Sequence, residues 1–430
     1  MDNRHLVFLN RSKNLFILVY EFIITYFKKN DMKCLYYILC LLFFMFSLHK
    51  SDAKSYTCIP TGDTTNIEYQ FSKGIQLDID TFRVPFVNGK CWETGILVFR
   101  SNFTFILDSG VVLFVQKGIF PLDTISYGLF RLNNLYHINI VGYGAKIQFD
   151  INEYIAGEWR HCIFIEGSNH INIYGLSIVE CSGDAICINW NSAVAFSEFI
   201  RIKDVLCDAN ARQGISIISA KKVLIEHCTF QHTGKKNHHQ LASAGPWSGI
   251  DLEPDSDLQF LADITINDCV FNNNKGDGFL LAYGGQINTV NLNRNQFYNN
   301  NRSAFAFVGI LRGYKGLITI KESLVWGKQE CVFYVRDWNS TKQNIIIDQL
   351  TIKGSQIQKP FYFLITPKLK TVKSGNFSCK RLILADWNSD KIIVREGENV
   401  IHQFEQIDIK GICQNAIKDS KSMDVRIFVK

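Results

Sequence analysis

Past residue 54 the chain shows no long helical periodicity. Short runs of alternating apolar residues recur instead, each broken by a polar turn rich in Asn, Cys or Gly and followed by a second apolar run. The clearest copies are INIYGLSIVECSGDAICIN (171–189), IRIKDVLCDANARQGISII (200–218), VLIEHCTFQHTG (223–234), ITINDCVFNNNKGDGFLLA (264–282) and VNLNRNQFYNNNRSAFAFV (290–308). With Ile173, Ile202, Ile225, Ile266 and Leu292 taken as equivalent, the steps are 29, 23, 41 and 26 residues. Weaker copies lie at Ile140, Ile320 and Ile347. A strand-built period of this length predicts a solenoid, because one two- or three-strand turn cannot bury its own apolar face. Stacked turns bury it by pairing in parallel, about 4.8 Å apart. The expected fold is therefore all-β: a single right-handed parallel β-helix of roughly ten coils over residues 54–430.

The period also assigns faces, since alternate residues of a strand point to opposite sides. Ile186, Ile215, Ile250 and Phe279 share one inward position, and Ile188, Ile217, Leu252 and Leu281 the next. The outward residues between and after them are Cys187, Ser216, Asp251 and Leu280, then Asn189, Ile218, Glu253 and Ala282. The same alignment stacks Cys228 on Cys269 at a spacing a disulfide accepts, although two thiols in an apolar stack fit it as well.

One step is irregular. The 41-residue interval holds GKKNHHQLASAGPW (234–247), a loop insertion carrying Lys and His. It runs directly into SGIDLEPDSD, where Asp251, Glu253, Asp255 and Asp257 crowd four carboxylates into seven positions. A long excursion from a regular scaffold is a common place for function. The turns before the second apolar runs align too: Arg160, Gly183, Arg212, Trp247 and Gly276 in one column, His161, Asp184, Gln213, Ser248 and Asp277 in the next. An outer groove is thus expected to gather Asp251, Glu253, Asp184 and Asp277 as candidate acids and bases. Arg212, Gln213, His161, Arg160, Trp247 and the loop residues His238 and His239 are its candidate binding groups.

Residues two apart on a strand have Cα atoms roughly 6.5–7 Å apart, which brings Asp251 and Glu253 near the carboxyl spacing of glycoside hydrolysis. A lyase or epimerase acting on a uronic acid needs a cation on the sugar carboxylate and a base on the neighbouring proton. Arg212 and Arg160 could supply the first, a loop His or Lys the second. A non-catalytic polysaccharide-binding or adhesion rod is the third alternative, and it requires no strip of clustered polar groups. Asp255 and Asp257 follow Pro254 at a strand end and read as turn residues. The Asn runs 272–274 and 299–301 read as Asn-lined turns. The spacing Asp-x-Glu-x-x-x-Asp offers oxygens to Ca²⁺ but lacks the glycine and distal Glu of an EF-hand, so no metal or other cofactor is expected.

Composition adds context. From Met32 the chain reads MKCLYYILCLLFFMFSLHKSDA, a signal-peptide pattern with a cut after Ala53, so 1–53 is expected to be a leader with translation starting at Met32. The apolar run is short for a membrane span, and a signal-anchored form is the alternative. Removing the leader lowers the net charge from +6 to about +3, too mild and unclustered for a nucleic-acid partner. Sequons at Asn102, Asn301, Asn339 and Asn376 fit a secreted glycoprotein. Eleven Cys follow the leader with no metal-type spacing and read as buried apolar residues. A secreted monomer with a polysaccharide partner and no stable membrane insertion is the expectation.

The coil pattern resembles the pectin-lyase-like superfamily of right-handed β-helix proteins. NARQGISII (210–218) with SGIDLEP (248–254) is similar to an Asn-x-Arg-Gln-Gly-Ile-Ser … Gly-Ile-Asp-x-Glu-Pro signature of uncharacterised secreted members. That resemblance implies the fold, a polysaccharide ligand, and Arg212, Gln213, Asp251 and Glu253 as site residues. The Asp-Asp and Gly-His-Gly motifs of polygalacturonases are absent, and Arg201-Ile202-Lys203 precedes the acidic strand instead of following it. The Asp-Pro-His-Asp of mannuronan epimerases is absent. So are the Trp-Ile-Asp-His and Arg-x-Pro-x-x-Arg of pectate lyases.

Overall fold

A computed structural model describes residues 53–120, 127–153, 158, 160–237, 244–282, 284–309, 316–336, 343–354, 356–364, 376–385, 393–396, 402–409 and 423–429. The chain divides into two compact units, Met1–Ala53 and Lys54–Lys430, and the second carries the strand repeat. The leader before Ala53, His238, His239 and the sequon at Asn339 lie outside the described residues. No helix among the described residues is long and apolar enough to cross a membrane.

Each full coil carries three strands, and like strands of successive coils pair in parallel. Ala220–Glu226, Thr229–Gln231 and Ile250–Leu252 form one coil; Phe260–Asn267, Val270–Asn272 and Phe279–Ala282 form the next. Among the described residues the third stack counts eleven strands, from Leu97–Val98 to Ile393–Glu396. Its register is the one the repeat implies: Ile186, Ile215, Ile250 and Phe279 pair in sequence, as do Ile188, Ile217, Leu252 and Leu281. All eight are fully buried.

Between first and second strands the backbone turns through one left-handed residue, seen at Asp204, His227, Asp268, Arg294 and Glu322 with φ of 50–56°. These are not glycines, and the conformation costs each of them something. The neighbouring coils offset it by continuing the ladders on both sides.

The second corner is held by buried asparagines. Asn274 Nδ2 donates to the Phe230 carbonyl (3.1 Å) and to Asn300 Oδ1 (2.9 Å), while Asn274 Oδ1 accepts from the Thr233 N–H at 3.3 Å. Asn300 Nδ2 repeats the bond one coil on, to the Phe271 carbonyl at 3.1 Å. The Asn runs are thus a ladder satisfying corner backbone groups that no strand can reach. Asn274→Ala strands at least two of these groups, and urea unfolding is expected to show a loss of about 2–3 kcal/mol.

Behind the ladder the rings of Phe230, Phe271 and Phe297 stack at 5.2 and 4.5 Å. Cys228 and Cys269 do stack, with the Cys228 N–H donating to the Cys269 Sγ at 3.4 Å. Both are free thiols, and of the ten described Cys only Cys91 is exposed, so the thiols serve as small apolar residues. The helix Glu68–Gln76 has no counterpart in the strand repeat. Its Phe71 is buried against Phe82, Phe99, Phe103 and Phe105, and so covers apolar surface near the first coils. A solenoid needs such a cover where stacking stops.

Candidate functional site

Asp251 sits mid-strand in Ile250–Leu252, facing away from the core between Ser216 and Leu280 of the adjoining coils. Glu253 follows at the next outward position. Outward is not open, however. Asp251, Gln213 and Asp277 are 0 % exposed and Asp184 and His161 are nearly so, where the strand pattern alone implied an open face. Only Glu253 of the strand pair is half-buried and reaches the groove.

The carboxyls are electrostatically distinct. At Asp184 burial is the largest single influence and acts upward, but its charge and hydrogen-bond partners, Arg212 first, together outweigh it. Its Oδ2 lies 3.4 Å from Arg212 Nη1 and 3.3 Å from His161 Nδ1, and its Oδ1 accepts from the Gln213 N–H at 3.1 Å, which together hold it below the usual carboxylate range. Asp251 lacks such partners. Burial and the neighbouring Glu253 charge push it well above its ordinary value, against the pull of Arg212. Glu253 is pushed up to about 7 by burial and by Asp255, and is restrained by Arg212. The Asp251 and Glu253 side chains are in hydrogen-bond contact. The Cα spacing had suggested two separated carboxyls. The side chains instead converge to share a proton, since two adjacent buried carboxylates cannot both ionise.

Arg212 is the hub of this cluster. Besides Asp184 it contacts Glu158 Oε2 at 3.4 Å, and it donates to the Glu158 and Gly245 carbonyls, each at 3.4 Å. Gln213 Oε1 accepts from the Trp247 N–H at 3.1 Å, and Gln213 Nε2 lies 3.5 Å from Asp251 Oδ2. Arg212 and Gln213 therefore tie Glu158, Gly245 and Trp247 together beside the acidic strand.

The groove that results has a volume of about 600 Å³. Glu158, Arg212, Gly245, Pro246 and Glu253 line one part. The rest follows the outward columns of the third stack. Asp251 continues through Leu280 and Ala306 to Tyr334, and in the next column Ala282 and Val308 lead to Arg336. Arg302, Glu330 and Cys331 complete it.

Several expected residues lie elsewhere. Asp277 is paired with Arg302 and with Ser303 Oγ at 2.6 Å, apart from the Asp251 cluster. Trp247 keeps its place in the column but packs under Lys275 Nζ, 3.3 Å from the ring centre. Arg160 is buried and His161 packs on Phe164; neither lines the groove. Asn102 and Asn301 are exposed. Sequence reasoning missed Glu158, Arg302, Tyr334 and Arg336. The last two become visible once the outward columns are extended into the weaker repeats; Glu158, outside any repeat, gives no pattern signal.

Among the described residues one metal-type cluster exists: donor atoms of His161, Asp184 and Cys187 lie within 4.8 Å of one another. A cation there would compete with Arg212 for Asp184, and burial holds Cys187 as a thiol, well above its ordinary pKa. A thiol must lose its proton to ligate. The acidic run itself forms no such cluster; Asp255 and Asp257 are exposed beyond Pro254.

No protein-family model matches the chain, and no curated protein does. Solved structures do. A hyperthermoactive exopolygalacturonase from Thermotoga maritima is 11% identical over 77% of this chain and 92% of its own, with a TM-score of 0.55. A tailspike protein of E. coli bacteriophage HK620, in mutant form with a pentasaccharide, is 11% identical over 82% of this chain and 64% of its own, with a TM-score of 0.53. The fold is a right-handed parallel β-helix. At these identities the likeness carries the fold and not the chemistry.

Proposed function

We propose that this protein is an extracellular carbohydrate-active enzyme that hydrolyses a polysaccharide lying in the groove beside Glu253. The observation that carries the reading is the Asp251–Glu253 pair: two carboxyls sharing a proton, one buried, the other at the groove with a pKa of about 7. A carboxyl poised near neutrality is suited to protonate a leaving glycosidic oxygen. Glu253 touches the sugar chain and acts as general acid. Asp251, behind it, shares a hydrogen bond with it and positions it. Arg212 restrains the pair, and Asp184 keeps Arg212 in place.

The groove's length over several coils suits a polymer. A similar β-helix is an exopolygalacturonase, and another is known with a pentasaccharide, which supports a sugar chain as the ligand class. The signal-like leader and the sequons support an extracellular setting.

The test uses purified residues 54–430 and a panel of acidic and neutral polysaccharides. New reducing ends and the absorbance of unsaturated uronate are followed in the same samples. Reducing ends without absorbance are expected. Absorbance accompanying them would replace hydrolysis by elimination, and silence in both would remove the hydrolytic reading.

A further inference from the structure

Hydrolysis of a glycosidic bond requires a second carboxyl, placed across the scissile bond from the acid. The strand lattice does not offer one. Asp251 and Asp184 are buried to within 1 % and do not line the groove, and Asp277 is occupied by Arg302 and Ser303. Besides Glu253, the acidic residues at the groove are Glu158 and Glu330. Glu330 belongs to the strand Gln329–Arg336, three coils beyond Ile250–Leu252, or about 14 Å along the stack. That exceeds the roughly 6.5–9.5 Å that leaves room for one attacking water. Glu158 is closer. Its carboxylate is ion-paired with Arg212, the same guanidinium whose charge acts on Glu253. It lies outside the strand repeat, so its place at the groove is not tied to the outward columns.

We infer that Glu158 is the second catalytic carboxylate, the base that activates water opposite Glu253. This inference rests on the hydrolytic reading of the groove. In the step, Glu158 takes a proton from water as the water oxygen bonds to the anomeric carbon. The bond from that carbon to the glycosidic oxygen breaks, and the oxygen takes the proton of Glu253. Solvent then returns one proton to Glu253 and removes one from Glu158, so no other reactant is needed. Arg212 holds Glu158 through Oε2, at the wall of the groove where the water would enter.

The experiment compares Glu158→Gln, Glu158→Asp and Glu253→Gln with wild type on the polysaccharides the wild type cleaves, with and without molar sodium azide. Glu158→Gln is expected to lose roughly 10³-fold in rate, and azide to restore it at least tenfold by replacing the activated water. Its pH–rate profile loses the acidic limb and keeps the fall above neutrality. Glu158→Asp, which preserves the charge on Arg212 and withdraws the carboxylate by one methylene, loses rate while unfolding at the wild-type temperature. Glu253→Gln gains nothing from azide. A Glu158→Gln rate within tenfold of wild type overturns the assignment. So does a large loss that azide leaves untouched, with the acidic limb intact, because that is the behaviour of a residue acting only through Arg212. Wild-type silence on the whole panel overturns the hydrolytic reading itself, and the role of Glu158 with it.

Discussion

Glu253→Gln is expected to abolish polysaccharide cleavage and at the same time to stabilise the fold above neutral pH. The rate loss is that of a missing general acid, about 10²–10⁴-fold. The gain in stability follows from linkage. Glu253 has a folded pKa of about 7, above the 4.5 of a free glutamate, because burial and Asp255 disfavour its charge. Between those values the folded chain binds more protons than the unfolded one, so stability falls as pH rises. The favourable state is fully present below pH 4.5 and is lost as pH passes through 7. A shift of this size costs the wild type about 3 kcal/mol by pH 8. Gln carries no such charge. The Tm of Glu253→Gln should exceed that of wild type at pH 8, and the advantage should vanish near pH 4.5. Asp251→Asn should behave alike in stability. In activity, the wild type should lose rate above about pH 7 as the acid deprotonates. A variant equally stable at both pH values, with cleavage intact, would contradict the assignment of Glu253.

Arg212→Ala is expected to be the most destabilising change near the site. Removing the guanidinium leaves Asp184 ionised, 1 % exposed and close to two further carboxyls, and frees Glu158 and the Gly245 carbonyl from their shared donor. Leaving one partner of a buried ion pair costs about 3–5 kcal/mol. Arg212→Lys should recover little, since an ammonium cannot span Asp184, Glu158 and a carbonyl in different directions. Asp184→Asn combined with Arg212→Met should be less destabilising than Arg212→Ala alone, because no charge is then stranded. The pH dependence has the opposite sign from that of Glu253. The lowered pKa of Asp184 contributes stability that is present above the unfolded value of 3.8 and lost as pH falls through the folded one. Urea titrations at about pH 7 and about pH 3 measure both. Equal losses in the single and double variants would show that the pair carries no special weight.

The strand repeat made the fold readable because a parallel stack writes its register into the chain. Each inward Ile or Phe returns one coil later, and a slip of one residue would expose the whole apolar column. The same register put Asp251 and Glu253 side by side and aligned Arg212 and Asp184 in the turns above them. The Asn corners and buried thiols were readable for the same reason, as residues repeated at fixed places. The helix Glu68–Gln76 was not, because it closes the solenoid at one point and has no second copy with which to align.

What sequence alone determined is therefore the lattice: which residues face the core, which share an outward column, and where the regular step is broken. Only the tertiary structure decided what that lattice means electrically. Burial depends on what surrounds a strand, and that follows no period here. Glu158 and Gly245 meet Arg212, Asp251 is closed to water, and Glu253 is left at the groove. Two carboxylates alike in the sequence thus become a fully buried carboxyl and an acid titrating near neutrality, because the charged form is stable only where water or a cation can reach it.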